Sequence, residues 1–498
     1  MKLSELVKQV KGLEWVNGSF ETDVVGLADD SRHAAAGKLF FALSPGETAG
    51  RHASEALARG AAAVVVPPGA AFEGSGPILT ARDCRAALAD AAAAFFAPTP
   101  RFPIVGITGT NGKTTTTLMT AAVLRQSGRK VAVIGTLGTL RDDGCREPSA
   151  NTTPGLLPLY ATFRALEEEG YGAVAMEVSS QGIVQHRIRG IPFSAAVWTN
   201  LSPEHFELHG DLETYRQAKL ALFRDCEHRP AGPAAPEFFN VLNGSDDSFG
   251  HFSAAARGRT FTFGLHSSAD VRAEDVRTDF RASRFTLAHG SHRCPVTLAL
   301  GGDFNVQNAL AAAAVGIGFG LDLAAIARGL ESVREVPGRF QAIGGDDRRV
   351  LVDYAHTSEG MEKLLHSCRA LVGPGERLIV VFGCGGDRDR TKRPRMGSVA
   401  AALADLCIVT NDNPRTESPQ QILADILTGI PQEHRPRLTI ELDRERAIRL
   451  ALSMARPADL VVIAGKGHED YQILGTQRIH FDDREVVAAA LEELRRAP

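Results

Sequence analysis

The sequence predicts an α/β fold with three domains, and two features indicate it. Short, continuous apolar runs recur along the chain, and longer helix-like segments separate them. Such runs are typical of parallel strands that are buried on both faces and joined by right-handed crossovers. At 498 residues the chain also exceeds what one hydrophobic core usually serves. We expect a small N-terminal α/β domain at 1–97, a central parallel-sheet domain at 98–335 and a C-terminal Rossmann-like α/β domain at 336–498.

The first two blocks each contain strand and helix signals. The N-terminal block has strand-like runs at 38–42 and 62–66 and an Ala-rich helix at 82–96. Pro98, Pro100 and Pro103 cannot continue that helix and indicate a linker. The central block shows strands at 102–105, 131–134, 173–178 and 195–199, with helices at 115–126 and 156–169. Residues 258–300 alternate β-type and polar residues, which predicts a small appended antiparallel sheet.

The C-terminal block starts near Pro337-Gly338 and has the pattern of a second doubly wound domain. Strand-like runs lie at 350–352, 378–382, 406–410 and 460–464, and helices at 360–371, 396–405 and 444–454. No Gly-x-Gly-x-x-Gly follows its first strand, so we expect no dinucleotide there.

Composition limits the functional class. The apolar share of 44% and charged share of 23% are those of a soluble globular protein. A net charge of −4 gives no electrostatic case for nucleic acid. The seven cysteines form no C-x-x-C pair, which favours reduced thiols. Neither a signal peptide nor a membrane span is evident, so we expect a cytoplasmic protein without a membrane partner.

A glycine-rich segment from Gly106 to Thr114 lies between the first central strand and its helix. Strand, glycine loop and helix in this order are typical of a nucleoside triphosphate site, because loop amides and the helix N-terminus bind phosphate. Lys113 would reach the outer phosphates, and the Thr114 hydroxyl would ligate Mg²⁺. Ile107 stands where the strict pattern has glycine. The sequence therefore predicts a variant triphosphate site, with an ordinary glycine-rich turn as the alternative.

Three further residues could carry chemistry near such a site. Glu177 ends a strand, where a carboxylate can hold the Mg²⁺ that Thr114 shares; the alternative is a solvated loop acid. His205 follows another strand and could bind a second metal, although a lone histidine is more often structural. Lys219 lies in an amphipathic segment, where a surface lysine is the ordinary interpretation. A neutral lysine near metals can instead capture carbon dioxide as a carbamate.

Six motifs together resemble the Mur ligases, the ATP-dependent amide ligases of peptidoglycan precursor synthesis. They lie at 109–115, 176–180, 199–202, 338–339, 353–357 and 383–389, in the family's order. The resemblance runs from about Asp30 to Asp483. It implies a uridine-binding N-terminal domain, a central P-loop ATPase domain and a C-terminal amino-acid-binding domain, with ATP and Mg²⁺ as cofactors and a monomeric state.

The resemblance also implies roles for individual residues. The expected ATP contacts are Gly109, Thr110, Asn111, Gly112, Lys113, Thr114, Thr115, Asn305, Asn308, Arg339 and Asp353. The expected catalytic residues are Lys113, Glu177, His205 and Lys219. Lys219 falls where the family carries a carbamylated lysine (N6-carboxylysine), which helps His205 bind a second Mg²⁺. Glu204 stands where the family usually has aspartate, and a longer acid could shift the surroundings of that metal.

Within the family, the match is to the members that add the third residue of the stem peptide. The expected contacts to the UDP-muramoyl dipeptide are Ser31, Asn151, Thr152, Thr153, Ser179, Gln185 and Arg187. Those to meso-diaminopimelate are Arg388, Asp412, Asn413, Pro414, Arg415, Gly465 and Glu469. Arginine can grip a carboxylate bidentately, and diaminopimelate has a second carboxylate that lysine lacks. Glu469 would pair with the distal ammonium. The tetrapeptide 412–415 could otherwise be a plain Asn-Pro turn.

The resemblance therefore predicts an ATP-dependent amide ligase. It would add meso-2,6-diaminopimelate to the D-Glu carboxylate of UDP-N-acetylmuramoyl-L-Ala-D-Glu through an acyl phosphate. The alternatives are a lysine-adding ligase of the same family and a folylpolyglutamate synthase-like ligase. The latter has neither the N-terminal uridine module nor an evident use for the tetrapeptide 412–415. A nucleotide-gated switch is a third alternative, but it would not need two carboxylate-gripping arginines and paired metal ligands.

Overall fold

The computed structural model describes residues 1–97, 100–204, 206–224, 237–266, 268–345 and 348–496. Within these ranges the chain forms two compact units. The first comprises Met1–Leu201, His205–Thr262 and Ala314–Leu321. The second comprises Ser202–Glu204, Phe263–Ala313 and Asp322–Pro498. The three-domain boundaries expected from the sequence stay a prediction.

The first unit begins with a small α/β sheet. Its elements are α1 (Leu3–Gln9), β1 (Glu14–Asn17), β2 (Gly26–Ala28), β3 (Lys38–Phe41), α2 (Gly46–Ala58), β4 (Ala63–Val66), β5 (Ile78–Thr80) and α3 (Cys84–Phe96). The strand order is β1-β5-β4-β3-β2, with only the β1–β5 pair antiparallel. The predicted strands and helix are confirmed. Helix α3 begins at Cys84 because the Asp83 carboxylate accepts hydrogen bonds from the amides of Arg85 and Ala86.

The larger sheet of the first unit positions the phosphate loop. Its elements are β6 (Ile104–Thr108), α4 (Lys113–Arg125), β7 (Val131–Gly135), β8 (Gly138–Leu140), β9 (Arg146–Glu147), α5 (Leu156–Glu168), β10 (Ala173–Glu177), α6 (Ser180–Val184), β11 (Ala195–Trp198), α7 (Phe206–His209), α8 (Leu212–Arg224), β12 (Phe239–Asn243) and α9 (Phe249–Ala255). The strands follow the order β12-β11-β6-β10-β7-β8-β9.

The first five strands in this order are parallel and fully buried, as their continuous apolar runs predict. Strand β6 starts at Ile104 rather than at 102, because Pro103 has no amide proton to donate to the sheet. The carboxyl ends of β6, β10 and β11 therefore meet at one edge, where the phosphate loop also begins.

The second unit begins with an appended sheet. Its elements are β13 (Arg259–Gly264), which starts in the first unit, β14 (Val271–Thr278), β15 (Ser283–His289), β16 (His292–Leu298), α10 (Asp303–Gly318), which belongs to the first unit from Ala314 onward, and α11 (Leu323–Glu331). Strands β14, β15 and β16 are antiparallel, as predicted. The expectation is wrong for β13, because Phe263 and Gly264 pair in parallel with β14. Alternation of side chains indicates which face a residue occupies and does not encode strand direction.

The rest of the second unit is a doubly wound α/β sheet. Its elements are β17 (Gln341–Gly345), β18 (Arg348–Asp353), α12 (Ser358–Arg369), β19 (Leu378–Phe382), α13 (Lys392–Leu403), β20 (Leu406–Val409), α14 (Pro419–Leu427), β21 (Leu438–Ile440), α15 (Arg444–Met454), β22 (Leu460–Ala464), β23 (Tyr471–Leu474), β24 (Gln477–His480) and α16 (Asp483–Arg496). The strand order of the doubly wound sheet is β17-β18-β22-β19-β20-β21, and only β17 is antiparallel in it. Strands β23 and β24 form a separate two-stranded antiparallel sheet.

Apolar side chains pack on both faces of this sheet, which confirms the predicted fold class. The loops that follow β18, β19, β20 and β22 all leave from the carboxyl ends of parallel strands. Open α/β sheets bind ligands at that edge. The loops after β19, β20 and β22 carry the arginines and acids that the sequence assigns to amino-acid binding.

Candidate functional site

The phosphate loop requires two glycines for its shape. Gly109 has φ +151° and Gly112 has φ +83°, a region that side chains disfavour. A Cβ atom on Gly109 would lie 1.9 Å from the Thr199 hydroxyl oxygen, so no larger residue fits. Helix α4 begins directly after Gly112, and its first amides face the loop. The loop therefore has the cradle shape that a triphosphate needs.

A turn at the end of β11 fixes this loop. The Thr199 hydroxyl donates to the Asn111 carbonyl at 2.6 Å. The Asn200 side chain accepts from the Asn111 amide at 3.0 Å and donates to its carbonyl at 3.1 Å. The Thr110 amide donates to the Asn200 carbonyl at 2.9 Å. Thr199 and Asn200 belong to the motif at 199–202, and the sequence predicts no role for either residue. In the structure, their hydrogen bonds hold the phosphate loop in place.

Two lysine side chains converge on one carbonyl oxygen in the loop. Lys113 Nζ donates to the Gly109 carbonyl at 2.9 Å and to the Thr110 carbonyl at 2.8 Å. Lys219 Nζ donates to the same Gly109 oxygen at 2.9 Å. Lys219 is 1% exposed, and its ammonium lies 4.5 Å from the centre of the Tyr215 ring. The surface-lysine interpretation of Lys219 is therefore wrong, because its side chain is buried beside the phosphate loop.

Glu177 is buried at the end of β10, next to β6 and β7. Its side chain is held by Thr136, whose amide donates to Oε1 at 2.8 Å and whose hydroxyl donates to Oε2 at 3.2 Å. A Cβ atom on Gly135 would lie 2.3 Å from Glu177 Oε1, so glycine makes room for the carboxylate. Glu177 is 1% exposed, which excludes a solvated loop acid.

Several residues assigned to the dipeptide substrate surround Glu177. The Thr152 hydroxyl contacts the Thr136 hydroxyl at 3.1 Å. The Thr153 hydroxyl donates to the Glu177 carbonyl at 3.0 Å and accepts from the Ser179 amide at 2.9 Å. Ser179 also caps α6 through a hydrogen bond from the Gly182 amide. These side chains form one network at the same sheet edge as the phosphate loop.

Arg187 extends this network to the next turn. Its Nη1 donates to the Thr153 carbonyl at 2.8 Å, and Gln185 Oε1 accepts from its Nη2 at 2.6 Å. Burial lowers the pKa of Arg187. Asn151 precedes the network and is exposed. Ser31 begins a short 3-10 helix between β2 and β3, and its hydroxyl donates to Glu55 at 2.7 Å.

The turn that carries Gln185 and Arg187 also contacts the N-terminal sheet domain. His186 Nε2 lies 3.3 Å from an Asp83 oxygen, and Arg189 donates to both oxygens of Asp90 at 2.7 and 2.9 Å. A Cβ atom on Gly190 would lie 2.8 Å from the Ala93 methyl group, which shows how closely the turn approaches α3. Sequence reasoning missed this contact because the charge pairs join residues about a hundred positions apart.

In the second unit, four residues assigned to ATP are held by local contacts. Asn305 Nδ2 donates to the Gly301 carbonyl at 2.8 Å, and Asn308 Nδ2 donates to Asn305 Oδ1 at 3.1 Å. The Arg339 guanidinium lies 4.5 Å from the centre of the Tyr354 ring. The Asp353 carboxylate accepts from two backbone amides at 2.7 and 2.8 Å, and burial raises its pKa.

Arg388 and Arg415 approach each other around Gly385. A Cβ atom on Gly385 would lie 3.0 Å from Arg415 Nη1 and 3.8 Å from Arg388 Cγ. The Gly386 amide donates to the Asn413 carbonyl at 2.9 Å, and Arg415 Nη1 donates to the Gly386 carbonyl at 2.8 Å. Arg388 is exposed and Arg415 is half-buried. The structure therefore brings the two predicted carboxylate-binding residues together on adjoining loops.

The remaining residues assigned to diaminopimelate form a buried polar cluster. Asn413 Nδ2 donates to Glu469 Oε2 at 3.0 Å, and Pro414 is buried. Gly465 has φ +117°, and a Cβ atom there would lie 2.8 Å from Asp412 Oδ2. Lys466 lies between the assigned residues Gly465 and Glu469, and the sequence predicts no role for it. The structure places its ammonium inside this cluster, which sequence reasoning missed because burial cannot be deduced from a loop sequence.

The donors expected for Mg²⁺ in the described part are the Thr114 hydroxyl and the Glu177 carboxylate. Oxygen atoms are the ligands that Mg²⁺ prefers, so this donor set fits the ion. His205 lies outside the described residues. No group of three or more His, Cys, Asp or Glu side chains in the described ranges could hold a metal by itself. None of the helices in those ranges has the length and apolar composition of a membrane span.

Comparison with known proteins identifies the family. Family models described as "Mur ligase middle domain" and "Mur ligase, glutamate ligase domain" match residues 107–316 and 338–467. A protein of Geobacillus kaustophilus named UDP-N-acetylmuramoyl-L-alanyl-D-glutamate–2,6-diaminopimelate ligase is 43% identical over 99% of this chain and 100% of its own length. A protein of Gloeobacter violaceus with the same name is 44% identical over 99% of both chains. A solved structure of a ligase of that name has a TM-score of 0.70, with 31% identity over 100% of both chains. The chain belongs to the Mur ligase family.

Proposed function

We propose that this protein is the ATP-dependent ligase that joins 2,6-diaminopimelate to UDP-N-acetylmuramoyl-L-alanyl-D-glutamate. The observation that carries the proposal is full-length identity of 43% to a relative with this name. The position of Arg388 and Arg415 next to Gly385 supports the acceptor assignment. The relatives' names favour this reaction over lysine addition and over folate glutamylation. We also propose a cytoplasmic location, where these precursors would be made, and a monomeric state.

The first step activates the substrate's D-glutamate carboxylate. That carboxylate attacks the γ-phosphate of ATP, which forms an acyl phosphate and releases ADP. Two anions must approach each other, so positioning and neutralisation of charge are the main tasks of the protein. Lys113, whose ammonium already lies inside the phosphate loop, would move from the Gly109 and Thr110 carbonyls to the phosphates. Mg²⁺ held near Thr114 and Glu177 would neutralise further charge on the phosphates.

The second step forms the amide bond. An amino group of diaminopimelate attacks the acyl carbon, and phosphate leaves from a tetrahedral intermediate. The acyl phosphate must be kept from water during this step. The two arginines would bind the distal carboxylate of the acceptor, which fixes the orientation of its reacting amine. Lysine lacks that distal carboxylate, so the guanidinium groups of both arginines would have no carboxylate of the acceptor to bind.

Carbamylation of Lys219 fits its surroundings. Lys113 and Lys219 both donate to the Gly109 carbonyl, so two cationic groups lie close together in a buried loop. Reaction of the neutral Lys219 amine with carbon dioxide forms an N–C bond and releases one proton. The product would be an anion, which would remove the repulsion between the two cations. Its oxygen atoms, with His205, would be the ligands for a second Mg²⁺.

Lys113→Ala tests the proposal directly. We expect phosphate release to fall at least about 10³-fold, because the residue that neutralises the transferring phosphate is lost. Circular dichroism should stay unchanged. Lys11→Ala changes an exposed lysine that is distant from Lys113 in the sequence. This variant is the control and should keep the wild-type rate. A Lys113→Ala enzyme with near-normal turnover would show that the loop does not serve the reaction.

A mass spectrum of the product separates the acceptors. The enzyme is incubated with ATP, Mg²⁺ and the UDP-muramoyl dipeptide, with either diaminopimelate or lysine. We expect the mass of the diaminopimelate tripeptide. A lysine tripeptide formed equally fast would contradict the acceptor assignment. A second incubation supplies a folate and glutamate instead of the dipeptide and the amino-acid acceptors. Glutamate added to the folate there, with no product from the UDP-muramoyl dipeptide in the first incubation, would favour the folylpolyglutamate alternative.

A further inference from the structure

Lys466 has a fully buried ammonium group in the acceptor-binding cluster. Its side chain is 0% exposed, and its Nζ lies 3.1 Å from Glu469 Oε2 and 3.3 Å from Asn413 Oδ1. The ring of Tyr471 lies 5.3 Å from the same ammonium. A buried lysine of this kind is held by charge and hydrogen bonds together, so its position is fixed.

Lys466 and Asn413 together fix the carboxylate of Glu469. The Asn413 side chain makes three hydrogen bonds within the protein: Nδ2 donates to Glu469 Oε2 at 3.0 Å, while Oδ1 accepts from Lys466 and from the Ile473 amide. Glu469 itself is 18% exposed, so part of its carboxylate still reaches solvent. The acid expected to bind the acceptor's ammonium therefore already has one ammonium partner.

The neighbouring charges are only partly balanced. Arg444 and Asp483 form a buried bidentate pair with two contacts of 2.7 Å. Asp412 is also buried and adds one negative charge to the pair of Lys466 and Glu469. Arg388 and Arg415 on the adjoining loops add two positive charges, so the acceptor site as a whole carries a net positive charge. A lone ammonium brought to Glu469 would meet the Lys466 ammonium on the same carboxylate. An end group that carries both an ammonium and a carboxylate adds no net charge and brings an anion for the arginines.

We propose that Lys466 is a specificity-determining residue: its buried ammonium shares Glu469 and thereby refuses an acceptor whose far end is a lone ammonium. It acts through repulsion of the wrong acceptor, whereas Arg388 and Arg415 act through attraction of the right one. The inference rests on the acceptor assignment made under the proposed function and adds the element that excludes lysine.

The test compares acceptor preference in two variants. Lys466→Gln removes the charge but keeps an amide that can donate to Glu469, and Lys466→Arg keeps the charge. The measured quantity is kcat/KM for lysine relative to that for diaminopimelate, from phosphate release. We expect this ratio to rise at least about tenfold in Lys466→Gln and to stay within about twofold of wild type in Lys466→Arg. An unchanged ratio in Lys466→Gln would overturn the inference.

A measurement on the unmodified enzyme covers the case in which Lys466→Gln does not fold. Norleucine has the carbon chain of lysine with an uncharged end, so the Lys466 ammonium would not repel that end and the Glu469 carboxylate would not attract it. If Lys466 repels a lone ammonium, norleucine should have a higher kcat/KM than lysine. A higher value for lysine would mean that Glu469 attracts the ammonium in spite of Lys466, and the inference would be wrong.

Arg415→Met separates failure of this inference from failure of the proposed acceptor site. If the assignment is right, this variant should raise KM for diaminopimelate at least about tenfold without improving the use of lysine. An unchanged KM for diaminopimelate would contradict both the proposed acceptor site and the role of Lys466. The expected rise in KM, combined with an unchanged ratio in Lys466→Gln, would overturn only the role of Lys466.

Discussion

The loops that carry Arg388 and Arg415 are held by a buried ion pair between Glu417 and Arg393. Arg393 Nη1 and Nη2 donate to the two Glu417 oxygens at 2.8 and 2.7 Å, and their side chains are 0% and 6% exposed. The Asp387 amide donates to Glu417 at 3.0 Å, so the pair also ties the loop that follows β19. Glu417→Gln keeps the shape of the side chain and removes its charge. We predict that this single change destabilises both loops.

The magnitude follows from the electrostatics of the pair. Hydrogen bonds from Arg393 lower the pKa of Glu417 from its ordinary value of 4.5 to about 2. A lowering of about 2.5 at about 1.4 kcal/mol for each whole pKa step corresponds to about 3 kcal/mol. Arg390, which also contacts Glu417, is 65% exposed and is screened by water. We therefore expect Glu417→Gln to lower the free energy of unfolding of this region by about 2–3 kcal/mol at pH 7.

The pH dependence gives an independent check with a fixed sign. A carboxylate with a lowered pKa stabilises the fold above its unfolded-state pKa of about 4.5, and this contribution is lost as pH falls towards 2. The variant should therefore differ from wild type at pH 7 and converge with it near pH 2. Hydrogen exchange of peptides spanning 383–430 along a urea series reports this region alone. Glu433→Gln, at an exposed position, is the control. A difference below about 0.5 kcal/mol at pH 7, or one that persists at pH 2, would refute the reasoning.

Three further predictions follow from buried contacts. Gly109→Ala should lower the rate of phosphate release at least about 100-fold, because φ is +151° and the new Cβ would lie 1.9 Å from the Thr199 hydroxyl oxygen. Gly250→Ala is the control and should keep the wild-type rate, because the space around Gly250 is open. Asp483→Leu should cost about 3–5 kcal/mol in urea unfolding, since Arg444 stays buried and unpaired, and the double change Asp483→Leu with Arg444→Met should recover most of that loss. Burial lowers the pKa of His356 from 6.5 to about 4, so between these pH values the unfolded chain binds a proton that the folded chain does not. The free energy of unfolding should therefore fall as the pH is lowered from 6.5 to 4. His356→Gln should make this dependence on pH weaker. A variant that keeps the wild-type slope would exclude His356 as its source.

The fold class and the phosphate loop could be predicted from residue patterns alone. Both are encoded locally: a buried parallel strand is a continuous apolar run, and the glycines, Lys113 and Thr114 lie within one strand–loop–helix segment. The helix at 444–454 was predicted with its bounds for the same reason. Resemblance of ordered motifs then indicated the family, which full-length relatives confirm.

Which side chains share a partner, and which are buried, could not be predicted before the folded chain was known. Lys219 reaches the Gly109 carbonyl across 110 positions of chain, and Lys466 is buried although it lies in a glycine-rich loop. The parallel direction of β13 was equally hidden, because alternation marks faces and not direction. Burial, pairing of charges and strand direction depend on segments that are distant in sequence. The residue pattern of one segment therefore cannot determine them.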